Sequence, residues 1–102
     1  MDNVQDNDRR FIYFYFHRNE SEKIRQVVPA HVQYWKTANL KGYVGGQFGD
    51  RTGGLISFVA SSLDEATEIV LQDPFVLEDL LVEKWIKEWI LETRIGVPRD
   101  KR

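Results

Sequence analysis

The hydrophobic pattern begins with a segment that is apolar at consecutive positions. Residues 11–18 read FIYFYFHR, and aromatic residues or Ile occupy every odd and every even position from 11 to 16. Side chains of a strand alternate between the two faces of its sheet, so this segment predicts a strand that is apolar on both faces. A chain of 102 residues supplies helices for one face only. We therefore expect the other face to contact a second copy of the chain.

The first predicted helix begins at Pro29, because the missing N–H of proline suits the first helical position. Residues 19–28 before it are a polar connection with few apolar positions. Gly42 is a typical residue after a helix end, so the helix is predicted to run to about Lys41. His31 would then lie in the first turn, where the positive end of the helix dipole disfavours an imidazolium.

The middle of the chain contains two further strand signals and a second helix. Residues 43–54 read YVGGQFGDRTGG and predict a strand followed by a flexible turn, and residues 55–60, LISFVA, predict a strand. Ser62 followed by Glu65 is a capping-box pattern, which places a helix start at Ser62. That helix should end near Asp73, because a residue before proline is displaced from helical geometry.

The last segment, residues 76–95, fits two periods. Its sequence, VLEDLLVEKWIKEWILETRI, carries apolar residues at helical spacing and also alternates from residue 85 onwards. The Trp and Ile content favours a short helical turn to about Leu81 followed by a strand from 82 to 93. The order β-α-β-β-α-β is the ferredoxin-like arrangement, an α+β fold with an antiparallel four-stranded sheet and helices on one face.

The composition of the chain limits the partners that it could bind and the cellular location that we expect. We expect one domain over residues 11–94, with polar tails at 1–10 and 95–102. The net charge of −2 gives no general attraction to nucleic acid or anionic lipid, and no apolar run could span a bilayer. The chain has no cysteine, and its polar N-terminus is unlike a secretory signal. These features predict a soluble cytoplasmic protein with no nucleic-acid or membrane partner and no cofactor.

Three stretches in order resemble the YciI-like family. They are VPAHVQYWKTANLKG at 28–42, GGQFGDRTGGL at 45–55 and SLDEATEIVLQDPF at 62–75, and the resemblance covers roughly residues 11 to 92. Members of this family are small proteins of the dimeric α/β-barrel group with ferredoxin-like protomers. The chain departs from the family pattern at Gln47, where proline is usual. The spacing before the Gly-Gly pair is also about two residues shorter than in the family.

The resemblance implies a homodimer with a small-molecule pocket. His31 and Asp73 occupy the positions of the family's suspected active-site dyad, and Gln47, Phe48 and Phe75 are expected to line the pocket. A His–Asp pair can transfer a proton near neutral pH, because the carboxylate fixes the imidazole tautomer and favours the imidazolium. The function implied is elimination or isomerisation of a small ring compound, and the alternative is a non-catalytic binding or accessory protein of the same fold.

Three other interpretations of these residues are a structural histidine, a metal site and an RNA-recognition domain. His31 could be a partly buried structural histidine and Asp73 an ordinary residue before proline. Two histidines without cysteine predict no strong metal site. An RNA-recognition domain shares the element order, but it stacks bases on third-strand aromatics, and the outward positions here would be Leu55 and Ser57. The acidic sequence also disfavours RNA binding, so this last possibility is rejected.

Overall fold

The computed structural model describes residues 9–92 as four strands and three helices. The elements are β1 (Arg9–His17), α1 (Ser21–Ala38), β2 (Val44–Gln47), β3 (Gly53–Ala60), α2 (Leu63–Leu71), α3 (Pro74–Leu77) and β4 (Leu81–Glu88). The strands form one antiparallel sheet in the order β2-β3-β1-β4. This is the predicted ferredoxin-like α+β arrangement, with the short helix α3 added before the last strand.

The central strand β1 separates two different surfaces of the sheet. Phe11, Tyr13 and Tyr15 are buried beneath the helices and form the core with aromatic and aliphatic residues of β3, α1, α2 and α3. The intervening residues of β1 are only partly buried, because no helix covers their side. β1 begins at Arg9, two residues before the predicted start, and the remaining positions of the predicted tails lie outside the described residues.

Helix α1 begins eight residues earlier than predicted. It runs from Ser21, so Pro29 lies inside the helix and His31 lies beyond its middle. The prediction from Pro29 was wrong because Ile24 and Val27 pack against the core, and this burial outweighs the hydrogen bond that an internal proline removes. The expected influence of the helix N-terminus on His31 is therefore absent. The helix ends at Ala38, before the predicted Lys41.

The second half of the chain follows the predicted order with shorter elements. Ser62 caps α2 by accepting a hydrogen bond from the Glu65 N–H, as the capping pattern predicted. α2 ends at Leu71, and β4 ends at Glu88 rather than at residue 93, which lies outside the described residues. Within residues 9–92, no helix is long and apolar enough to cross a membrane. The cytoplasmic location stays a prediction.

The side of the sheet away from the helices, which we call the open face, carries exposed apolar groups. Trp85 stacks on Phe14 with ring centroids 6.1 Å apart, and 44% of Trp85 is exposed. Val44 and Leu55 are also exposed. Ser57, predicted to face outward, does lie on this face, but it is buried because the Arg10 guanidinium donates to its hydroxyl at 2.7 Å.

Candidate functional site

Asp73 is the best-connected polar residue of the core. It has no exposed surface, and it accepts hydrogen bonds from the Tyr13 hydroxyl at 2.9 Å and from the Phe75 N–H at 2.9 Å. A third contact joins its Oδ1 to Nδ1 of His31 at 2.8 Å. The Asp-Pro sequence explains its placement, because Asp73 is the N-cap of α3 and Pro74 begins that helix. A buried carboxylate is therefore surrounded by donors from three different elements.

His31 reaches Asp73 from α1 and is held on its other sides by aromatic rings. The imidazole stacks on Phe75 with ring centroids 4.1 Å apart, and the Tyr15 ring lies edge-on to it at 5.9 Å. Because a carboxylate only accepts hydrogen bonds, the contact with Asp73 assigns the proton to Nδ1. Nε2 then carries the lone pair, and the nearest group to it, the Tyr15 hydroxyl, lies at 3.4 Å. That distance is too long for a strong hydrogen bond, which leaves Nε2 available to a ligand.

A cavity of about 500 Å³ opens beside this imidazole, between α1 and the β2–β3 edge of the sheet. Its walls are mostly aromatic and aliphatic, and they include His31, Tyr15, Trp35, Tyr43 and Phe75. A mainly apolar cavity of this size with a few convergent polar groups is typical of a small-molecule site.

On the sheet side of the cavity, the Tyr15 ring lies close to the backbone of Gly54. Tyr15 faces Gly54 across the β1–β3 pair. A side chain at Gly54 would place its first carbon 2.5 Å from the Tyr15 hydroxyl and 2.6 Å from the Gly46 carbonyl oxygen. Glycine is therefore required at position 54 for the Tyr15 ring to lie where it does.

Burial raises the pKa of the tyrosines around Asp73. The pKa of Tyr13 is raised far above its usual value, first by burial, then by the charge of Asp73 and by its hydrogen bond to that carboxylate. The pKa of Tyr15 is raised in the same direction, by burial first and then by Asp73. Both phenols thus keep their protons at neutral pH, and Tyr13 acts as a donor to Asp73.

The second histidine, His17, also lines this cavity. Its ring packs edge-on against Phe75 with centroids 4.9 Å apart. Burial lowers the pKa of His17, and the neighbouring His31 lowers it further, while a backbone hydrogen bond with Arg51 and the charge of Asp73 oppose the shift. An uncharged His17 adds no positive charge to this mainly apolar site.

The structure brings together most of the residues that the sequence singled out. His31 and Asp73 are in direct contact, and Gln47 and Phe75 line the cavity. Phe48 does not line it: its ring lies 5.6 Å from Phe16, toward the open face. Phe48 follows Gln47 at the end of β2, and side chains of adjacent residues at a strand end point to opposite faces.

Two tyrosines of the site were missed by the sequence analysis. Tyr13 and Tyr15 were interpreted as part of an apolar strand, and their alternation does place both in the core. The signal that could have found them is chemical, because a buried tyrosine hydroxyl requires a polar partner. Among residues 9–92, no group of three His, Asp or Glu side chains is arranged to hold a metal ion.

Comparisons with known proteins identify a matching family and a similar fold. A family model described as the YCII-related domain matches residues 9–90. Among solved structures, the chain is similar to 5-chloro-2-hydroxyhydroquinone dehydrochlorinase (TftG) from Burkholderia phenoliruptrix AC1100 in complex with 2,5-dihydroxybenzoquinone. The two share 26% sequence identity with a TM-score of 0.67, and the alignment covers 79% of this chain and 93% of that one. A search of curated proteins gives no match.

Proposed function

The chain belongs to the YCII-related domain family, and from this premise we propose that it binds a small oxygenated ring compound and transfers a proton with His31. The observation that carries the proposal is the contact of His31 with the fully buried Asp73 at the wall of an aromatic cavity. The similarity to a dehydrochlorinase solved with a quinone supports the choice of a ring compound and of elimination as the reaction.

The chemistry assigns a separate role to each member of the pair. Nε2 of His31 takes a proton from the substrate, the electron pair of the broken bond forms a new double bond, and the leaving group departs with its own bonding pair. Asp73 holds the imidazole in the required tautomer and stabilises the imidazolium that forms. In an isomerisation, the same imidazolium returns the proton to another carbon of the ring. The phenol of Tyr15 lies beside Nε2 and can donate to an oxygen of the substrate.

We also propose that the protein is a homodimer built on the open face of its sheet. The helices cover one face, while Val44, Leu55 and Trp85 remain exposed on the other. Exposed apolar groups on an uncovered sheet face favour association with a self-complementary copy. The His31 cavity lies on the helix side, so pairing through the open face leaves the cavity accessible.

The experiment that tests the catalytic proposal measures chloride release from 5-chloro-2-hydroxyhydroquinone. The wild type should release chloride, and His31→Gln should lower the rate at least about a hundredfold, since general acid–base groups contribute on this scale. Gln33→Ala is the matched control, because Gln33 is exposed on the same helix. It should retain the wild-type rate.

Binding measurements separate catalysis from the non-catalytic alternative. Calorimetry with 2,5-dihydroxybenzoquinone should detect binding to both the wild type and His31→Gln, because most of the cavity wall is unchanged. Binding without turnover of chlorinated hydroquinones or cyclic lactones would support an accessory ligand-binding protein. Turnover that survives in His31→Gln would contradict the assigned role of the imidazole.

A further inference from the structure

A second cleft of about 520 Å³ adjoins the cavity beside His31. The two share three wall residues, His17, Val28 and Gln47, so they lie next to each other. The second cleft lies between the first turns of α1, the end of β1 and the loop that joins β2 to β3. We call it the arginine cleft, because Arg18, Arg25 and Arg51 line it.

The arginine cleft has a surplus of positive charge at its walls. Its lining includes no Asp or Glu. Arg18 pairs with Asp79 at 3.1 Å and Arg25 pairs with Glu22 at 2.9 Å, and both carboxylates lie well out in solvent. Pairs of this exposed kind contribute little free energy and exchange readily for a better partner.

Arg51 is the guanidinium of the cleft that has no carboxylate partner within residues 9–92. Its backbone is fixed in the β2–β3 loop, where its N–H donates to the Phe48 carbonyl oxygen at 2.9 Å. The carboxylate of the neighbouring Asp50 accepts hydrogen bonds from the N–H and the hydroxyl of Thr52 rather than from the Arg51 guanidinium. Arg51 is therefore held at the cleft with its charge available.

We propose that the arginine cleft binds a carboxylate carried on a short side chain by the ring compound that occupies the cavity beside His31. The inference rests on the proposed function and specifies its substrate class. A guanidinium presents paired N–H donors that match the two oxygens of a carboxylate, and Arg51 and Arg25 provide two such groups at the wall of one cleft. Val28 lines both cavities, so the linking carbons would lie against an apolar side chain.

A matched pair of ligands tests this inference by calorimetry. The probes are 2,5-dihydroxyphenylacetate and 2,5-dihydroxyphenylacetamide, which differ in charge and hardly in shape. The wild type should bind the carboxylate at least about tenfold more tightly than the amide, as expected for one charge-assisted contact. The preference should shrink as salt concentration rises, because the arginines are exposed.

Substitutions of the basic residues show where the carboxylate of the ligand binds. The double variant Arg25→Gln and Arg51→Gln should lose the preference for the carboxylate while its affinity for the amide stays at the wild-type value, which also reports an intact cavity. Arg9→Gln removes an exposed guanidinium that pairs with Glu88 at the edge of the sheet, and it should keep the full preference. A preference that survives the double variant but disappears in Lys36→Gln would overturn the inference, because Lys36 lines the first cavity.

The remaining outcomes distinguish this inference from the proposed function. If the amide binds and the carboxylate binds no better, the arginine cleft is not an anion site, and the ring site beside His31 stands. If neither probe binds at millimolar concentration, the dihydroxylated ring class is wrong, and both proposals fail together.

Discussion

The central strand β1 contributes different kinds of contact to the two faces of the sheet. On the helix face, Tyr13 and Tyr15 are buried, and their hydroxyls lie at Asp73 and His31. On the open face, Phe14 stacks on Trp85, which remains 44% exposed, and the contacts are between apolar rings. The aromatic residues of β1 thus build a polar network on one side and an uncovered apolar surface on the other.

This difference shows how a small domain can hold a buried carboxylate. Placing Asp73 in the core is unfavourable unless donors surround it, and three donors do so within 2.9 Å. The open face needs no such network, because its apolar groups are stabilised simply by being covered. Substitutions on the helix face should therefore affect stability and chemistry together, while substitutions on the open face should affect assembly alone.

The largest expected effect is that of Asp73→Ala on stability. Removing the carboxylate leaves the Tyr13 hydroxyl, the Phe75 N–H and Nδ1 of His31 without an acceptor in the core. The free energy of unfolding should fall by about 3–5 kcal/mol, measured by urea denaturation. Asp73→Asn keeps an acceptor oxygen for the α3 cap and should lose less.

Glu88→Gln is the matched control, since it removes a carboxylate that pairs with Arg9 at the surface. Its denaturation midpoint should equal that of the wild type. An Asp73→Ala protein that unfolds at the wild-type midpoint would show that the buried network does not form.

The next largest effect concerns the open face. Trp85→Glu introduces a charge into the proposed dimer interface, and it should weaken dimerisation at least about a hundredfold, or about 3 kcal/mol. Light scattering at micromolar concentration should then fall from twice the chain mass to 12.0 kDa. Leu77→Glu is the control, because Leu77 is exposed on α3. A wild-type protein that scatters as a single chain would exclude the interface.

A smaller effect is expected from the buried tyrosines at alkaline pH. The folded state raises the pKa of Tyr13 above the value of about 10 for an unfolded tyrosine. The unfolded chain therefore loses this proton first. The stabilisation is complete below pH 10 and is lost as pH rises above it, by about 1.4 kcal/mol per pH unit for each such tyrosine.

In Tyr13→Phe, the free energy of unfolding should fall less steeply with pH above about pH 10, because one of the buried tyrosines no longer contributes. This difference in slope is expected whatever the substitution does to stability at neutral pH. The measurement is the free energy of unfolding from urea titrations between pH 7 and about 11, compared between the variant and the wild type. If the two curves of unfolding free energy against pH stayed parallel over the whole range, Tyr13 would have the same pKa in the folded and unfolded chains. That result would contradict the effect expected from its burial beside Asp73.

Local signals predicted the elements but not all of their limits. The Ser62 cap and the β-favouring residues of the last segment are short-range features, and the structure has both the capped helix α2 and the strand β4. Pro29 was also a local signal, but the start of α1 depends on Ile24 and Val27 meeting a core assembled from distant strands. A helix start that depends on tertiary burial cannot be derived from the residues around it.

The site shows the same limit more strongly. His31 and Asp73 are 42 positions apart, and no periodicity relates them. Their pairing was predicted from the family resemblance, while the hydroxyls of Tyr13 and Tyr15 were overlooked because alternation describes only which face a side chain occupies. The arginine cleft could not be predicted, because its three arginines come from β1's end, α1 and a loop.

The most direct test of the central claim is nitrogen-15 NMR of the two ring nitrogens of His31. Nδ1 should carry the proton and Nε2 the lone pair, and 2,5-dihydroxybenzoquinone should shift the Nε2 resonance. In Asp73→Asn, the single tautomer should give way to a mixture, because the amide can both donate and accept. A wild-type His31 protonated at Nε2, or an Nε2 resonance that does not move when the quinone is added, would contradict the account.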